Sequence, residues 1–173
     1  AAMSVVGDRC RIERCDFRIH TFGHAIHMHG AQDTIIRQTK VVGDLRLTDE
    51  LYQETTGPVV KYDYKVMYPP WRKGQPIPKG QMLSLTEDGI RSYLDGKDRD
   101  GRKRRTGHIT VEDCEVIRMR GGITMALAGG ATVTNCTVLD SGGHAYSFPK
   151  EAKVRNCKGN AAYAPLLAHP YKQ

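Results

Sequence analysis

The sequence predicts an all-β solenoid, a stack of short strands in which each repeat buries its apolar face on the next. Three observations carry that expectation. A four-residue phrase recurs as Ile12-Glu13-Arg14-Cys15, Val111-Glu112-Asp113-Cys114, Val133-Thr134-Asn135-Cys136 and Val154-Arg155-Asn156-Cys157. Ile36-Arg37-Gln38-Thr39 fits the phrase with threonine in the cysteine's place. Each copy alternates apolar and polar residues, the period-2 signature of a strand. A glycine-led second strand follows, as Gly23-His24-Ala25-Ile26-His27-Met28, Gly122-Ile123-Thr124-Met125-Ala126-Leu127 and Gly143-His144-Ala145-Tyr146-Ser147-Phe148.

The spacing is that of a stacked repeat. Cys136 follows Cys114 by 22 residues, Cys157 follows Cys136 by 21, and Thr39 follows Cys15 by 24. Units this short cannot close a core alone and must stack. This pattern resembles the right-handed parallel β-helix of the pectate-lyase-like superfamily, over roughly residues 8–40 and 82–168. The resemblance implies a single-stranded solenoid of about five rungs, with strands about 4.8 Å apart and a rod on the order of 20–25 Å long. It covers one domain, residues 1–173, with a large loop insertion.

The second repeat is interrupted. No glycine-led strand follows Thr39 at the usual distance, and its partner is Asp88-Gly89-Ile90-Arg91-Ser92-Tyr93. Between them lies an insertion of about residues 43–81, holding Tyr52, Tyr62, Tyr64, Tyr68 and Trp71 with Pro69, Pro70, Pro76 and Pro78. That composition argues for an ordered excursion packed on the rod. A basic loop, residues 95–106, joins this repeat to the next.

Charge and composition narrow the class. The chain is 39% hydrophobic and 26% charged, which excludes a disordered or disulfide-dense chain. No apolar run approaches the roughly 18 residues of a membrane helix, so no membrane partner is expected. The net charge of +7 falls to +3 without Lys97–Arg105, which reads KDRDGRKRR. Lys103, Arg104 and Arg105 in that loop are candidate contacts for an acidic polysaccharide. The plainer alternative is a solvated loop. Aromatic residues do not interleave with it, which disfavours nucleic acid.

Four cysteines share one repeat position and are expected as an inward column of thiols. No short C-x2-C pair suggests zinc, and no disulfide framework is expected. The Asn135-Cys136-Thr137 sequon lies within a repeat and reads as chance.

Candidate chemistry gathers around histidine. His20, His24, His27 and His29 lie within ten residues. If Ile26 and Met28 point inward, His27 and His29 point outward together. They could contact or act on a sugar, or bind a transition metal; the plainer reading is two surface histidines. His24 and His144 are expected at equivalent structural positions. Aligning Gly89 with Gly23 puts Ile90 near the apolar line and Arg91 near the outward line. His27, Arg91, Ala126 and Ser147 then form one outward column, with His29 and Tyr93 on the next. Glu87-Asp88 before Gly89 resembles the Asp-Asp turn of polygalacturonase-like β-helix hydrolases, for which paired carboxylates serve as acid and base. The Asn-Thr-Asp, Gly-His-Gly and Arg-Ile-Lys motifs of that family are absent, so its mechanism does not transfer.

These features predict a carbohydrate-active protein, a lyase or hydrolase on acidic polysaccharide. Arg91 would neutralise a uronate carboxylate, and His27 and Tyr93 would exchange protons. Glu87 and Asp88 are further catalytic candidates, and His29 and Trp71 are candidate substrate contacts. No cofactor is demanded by the sequence, although calcium at Glu87 and Asp88 or a His-bound metal is compatible with it. The alternative is a non-catalytic β-helix module or fragment that binds glycan or associates end to end. The carbohydrate reading leads to an expectation of a secreted or periplasmic location.

Overall fold

A computed structural model describes residues 1–20, 23–51, 53, 55–56, 80, 82–84 and 86–160. Among them, three parallel sheets of five strands hold most of the strand residues, consistent with a β-helix or solenoid. The chain enters the sheets in a repeating order, which is how a coil arises from local rules.

The first sheet holds β1 (Met3–Asp8), β4 (Ile26–Gln32), β9 (Asp88–Tyr93), β14 (Gly121–Thr124) and β17 (His144–Ser147), in that order. The second holds β2 (Arg11–Glu13), β5 (Thr34–Arg37), β12 (His108–Glu112), β15 (Gly130–Thr134) and β18 (Lys153–Arg155). The third holds β3 (Asp16–Ile19), β6 (Lys40–Gly43), β13 (Glu115–Ile117), β16 (Thr137–Leu139) and β19 (Lys158–Gly159). The recurring phrase is thus the second sheet plus the turn into the third. β1 was not foreseen; it adds an edge strand to the first sheet, pairing Ser4 with His27.

The turn residue explains the phrase. Arg14, Gln38, Asp113, Asn135 and Asn156, each just before the cysteine or threonine, all have φ between 49° and 54°. One left-handed residue redirects the chain from the second sheet to the third, and Asn and Asp tolerate that region best. Asn135 Nδ2 donates to Asp113 Oδ1 at 3.0 Å and Asn156 Nδ2 donates to Asn135 Oδ1 at 2.9 Å, forming a ladder. The Asn135 side chain therefore has a structural use in the turn.

The next residue turns inward. Thr39, Cys114 and Cys136 are buried, while Cys15 and Cys157 at the ends of the column are half-buried. All five cysteines are free. Each thiol of the column donates to the carbonyl two residues before it, as Cys114 does to Glu112 at 3.1 Å and Cys136 to Thr134 at 3.3 Å. Around them Ile26, Ile36, Ile90, Ile109, Val111, Val133 and Val138 are fully buried. Each such side chain stabilises the fold by about 1.5–3 kcal/mol relative to exposure.

Two excursions leave this frame. β7 (Leu45–Leu47) and β8 (Met82–Ser84) pair antiparallel and close the base of the first, with a one-turn helix, α1 (Thr48–Leu51), after β7. Met82–Ser84 therefore belongs to the stem of the insertion and not to a repeat, as the expected boundary at 82 had it. Trp71 and the other expected aromatics of the insertion lie outside the described residues, as does the chain after 160. The basic loop is a hairpin of β10 (Asp95–Lys97) and β11 (Lys103–Arg105). Among the described residues no helix is long and apolar enough to cross a membrane.

Candidate functional site

The site lies on the outer face of the first sheet, where β4, β9 and β14 run side by side. Register places His27 opposite Arg91 and His29 opposite Tyr93, the two outward columns expected from the sequence, although not through the glycine alignment used to draw them. Thr124, not Ala126, continues the column beyond Arg91, and Ser147 follows it. The cause is that glycine marks two different places. Ile26 pairs with Ile90, so Gly89 stands opposite Ala25, not Gly23. Gly121 pairs with both Asp88 and His144, so Gly122 stands beside Gly89 and Ala145. The expected equivalence of His24 and His144 holds, with Asp88 and Gly121 between them in one column.

Two consecutive inward residues shape the face. Ala25 and Ile26 are both fully buried, and Gly89 and Ile90 occupy the same places. Positions 24 and 27, and likewise 88 and 91, therefore emerge on one side three residues apart. Arg91 Nη1 donates to Asp88 Oδ2 at 3.0 Å. The Asp88 side chain is only 1% exposed, so it braces Arg91 from below and does not face a ligand. Gly121 makes this burial feasible, because a Cβ there would collide with Asp88 Oδ1 and approach His144 Cε1 to 2.9 Å.

His24 sits between the carboxylates and the phenol. The Asp88 backbone N–H donates to His24 Nδ1 at 3.1 Å. His24 Nε2 lies 3.1 Å from the Tyr93 hydroxyl and 3.3 Å from Glu87 Oε2. Glu87 Oε1 in turn lies 3.6 Å from Arg120 Nη2. The aromatic groups close over this arrangement. The His27 and Tyr93 ring centroids are 4.5 Å apart, those of His27 and His29 are 4.7 Å apart, and the Arg91 guanidinium is 5.0 Å from the Tyr93 ring. His144 Nε2 bonds Thr124 Oγ1 at 2.9 Å on the far side.

Burial sets the protonation states. Desolvation, aided by Arg91 and Arg120, outweighs the pull of Asp88 and lowers the His24 pKa to about 4. Desolvation, with His29 and Arg91 nearby, lowers that of His27 to about 4. Both imidazoles are neutral near pH 7. Desolvation raises the Glu87 and Tyr93 pKa values, so Tyr93 keeps its phenolic proton. Among the described residues, His27 Nε2, Arg91 Nε and Asp88 Oδ1, all covered polar atoms of the cluster, make no hydrogen bond. Such atoms are uncommon in folded proteins, and here they fall together.

The remaining expected residues are placed as follows. His29 joins the cluster's edge, with Nε2 2.6 Å from Ser4 Oγ. Arg104 folds back onto the first sheet, pairing with Asp8 and donating from Nε to the Gly30 carbonyl at 3.2 Å. Its charge is therefore committed within the chain. Lys103 is exposed and paired with Asp95 at 2.9 Å, and Arg105 is exposed on the same hairpin. The hairpin is pinned beside His29, since Thr106 Oγ1 accepts from the Gly30 N–H at 2.8 Å. Among the described residues, no group of three or more His, Cys, Asp or Glu side chains is arranged to hold a metal ion. Sequence reasoning missed His24 as a site member, Arg120 and Thr124. The Glu87-Asp88 pair was the available signal for His24, because buried acids need a nearby donor.

No family model matches the chain, and no curated protein matches it.

Proposed function

We propose that this protein is a right-handed parallel β-helix of about five rungs, of the pectate-lyase-like kind, that acts on an acidic polysaccharide by β-elimination. One observation carries the reading. A neutral imidazole, a protonated phenol and a guanidinium, those of His27, Tyr93 and Arg91, meet within 5.0 Å on an outward face. Those are the groups an elimination beside a uronate carboxylate needs. The cation offsets charge developing on the carboxylate, which acidifies the neighbouring C5 proton. One of the other two groups takes that proton, and its neighbour protonates the leaving oxygen.

Hydrolysis is the weaker reading of the same site. It calls for two carboxyl groups flanking a glycosidic bond. Here Glu87 reaches the surface and Asp88 does not, with side chains 19% and 1% exposed. Arg105, an exposed cation of the hairpin held at Gly30, favours an acidic substrate. The second reading, a β-helix module or fragment that binds glycan without cleaving it, uses the same face. A secreted or periplasmic location follows from either.

The test is incubation with pectate, alginate, glycosaminoglycans and ulvan, with and without calcium. Elimination leaves an unsaturated uronate at the new chain end, seen by ultraviolet absorbance and by mass. Fragments that have gained water would identify a hydrolase. Salt-sensitive binding without any product would identify the binding module.

A further inference from the structure

The two proton-bearing groups of the site are not interchangeable: the His24 ring lies beside both, 5.4 Å from the His27 ring and 5.8 Å from that of Tyr93, but its hydrogen bond is to Tyr93. A backbone N–H can only donate. The Asp88 N–H, 3.1 Å from His24 Nδ1, therefore requires a lone pair on Nδ1. A neutral imidazole then carries its proton on Nε2. That N–H faces the Tyr93 oxygen at 3.1 Å and Glu87 Oε2 at 3.3 Å. With Nε2 acting as donor, the Tyr93 hydroxyl cannot give its own proton to His24, and it must aim that proton elsewhere.

We infer that His24 is a positioning residue that fixes the direction of proton flow, holding Tyr93 as the proton donor and leaving His27 as the proton acceptor. The inference rests on the elimination reading given above and assigns its two roles. It stands on three contacts: the Asp88 N–H on Nδ1, the Tyr93 oxygen on Nε2, and the His27 ring tilted against that of Tyr93 with centroids 4.5 Å apart.

The step balances. The C5–H bond breaks and its proton goes to the unprotonated nitrogen of the neutral His27 ring. The electron pair left on C5 forms the C4–C5 double bond. The C4–O bond breaks, and the departing oxygen takes the proton of Tyr93. The products are an unsaturated chain end, a new hydroxyl end, an imidazolium at His27 and a phenolate at Tyr93. Return of the proton from His27 to Tyr93, across adjacent rings, restores the starting state with no external reductant or base. Arg91, its guanidinium 5.0 Å from the phenol ring, steadies the phenolate in the interval. Burial of His27 and Tyr93 keeps the resting forms neutral, as the directions of their pKa shifts indicate.

The experiment has two arms on the full chain. The first is nitrogen-15 NMR of the histidine side chains at neutral pH without any polymer. His24 is expected as the Nε2–H tautomer and His27 as a neutral ring. A proton on His24 Nδ1, or an imidazolium at either residue, overturns the inference whatever the polymer assays show. The second arm follows kcat and KM separately on a polymer that the wild type cleaves. His24→Ala is expected to lower kcat by about 10- to 100-fold with little change in KM. His24→Gln, which can present an N–H at the place of Nε2, is expected to recover much of that loss. Equal losses in both variants, with melting temperatures matching the wild type, would also overturn it. A correct tautomer with no cleavage of any polymer would instead count against elimination itself.

Discussion

The second and third sheets and the first sheet are built by the same coil, yet they use sequence in opposite ways. At the turn between the second and third sheets the same kind of residue returns each time: a left-handed Asn, Asp, Gln or Arg, then an inward Cys or Thr. Along the first sheet's outward column the residues differ from strand to strand, running Ser4, His27, Arg91, Thr124 and Ser147. Repetition marks positions whose neighbours are copies of themselves, so one solution to packing and hydrogen bonding serves throughout. Departure from repetition marks positions released from that constraint. There burial, charge and shape concentrate in one patch around β9.

The contrast can be broken or sharpened by substitution. The largest effect is expected at the variable face. His27→Ala should lower turnover by about 100- to 10,000-fold while leaving the melting temperature close to that of the wild type. Steady-state kinetics beside a thermal melt checks both halves, and unfolding of the variant would make the residue a structural one. In the repeated region Ile109→Ala should do the reverse, costing about 2–5 kcal/mol of stability in denaturant titration with turnover per folded molecule unchanged.

Gly121→Ala tests the boundary between the regions. Its methyl group would displace Asp88, so about 1–3 kcal/mol of stability should go together with loss of the Arg91 brace and of activity. A fully active variant would show that Asp88 need not lie where it does. Asn135→Ala should cost about 1–2 kcal/mol, through the left-handed backbone and the broken side-chain ladder, without touching turnover.

A subtler readout is the pH dependence. His24 and His27 have folded pKa values near 4, depressed from 6.5, and His144 is lowered as well. The unfolded chain therefore binds protons first as pH falls. Their contribution is fully present above about pH 6.5 and is lost as pH drops toward 4. Glu87 is shifted upward and opposes this, since its contribution is present at low pH and lost as pH rises through its folded value. Three histidines against one glutamate predict a net loss of stability on acidification through that window. His24→Gln should shallow the slope in urea titrations taken at several pH values.

Much of the scaffold was legible in the sequence because stacking forces periodicity. The phrase ending at Cys15, Thr39, Cys114, Cys136 and Cys157 marked the turn and the inward column. The pairing of Asp88–Tyr93 with the His27 strand across a long insertion followed from the same logic. Glycine misled, because Gly23 and Gly143 sit before the corner whereas Gly89 and Gly122 replace inward side chains where Val116 and Val138 press close. That two-residue offset put Ala126 where Thr124 stands. β1 was illegible because it lacks the phrase; it is held by pairing with β4 and by Val5, which is buried in the core. In the candidate site, His27, Arg91 and Tyr93 were readable from alternation. His24 was not, since its neighbours come from a strand 64 residues later.

The central claim is that the outer face of the first sheet around His27, Arg91 and Tyr93 is a binding site, and that the repeated remainder is its scaffold. Titration of the isotope-labelled protein with a short polyuronate, followed by amide and side-chain NMR, tests it most directly. Shifts are predicted at His27, His29, Arg91, Tyr93 and Thr124, fading across β12 and β15. Shifts confined to the second and third sheets, or none with any acidic oligosaccharide, would contradict it.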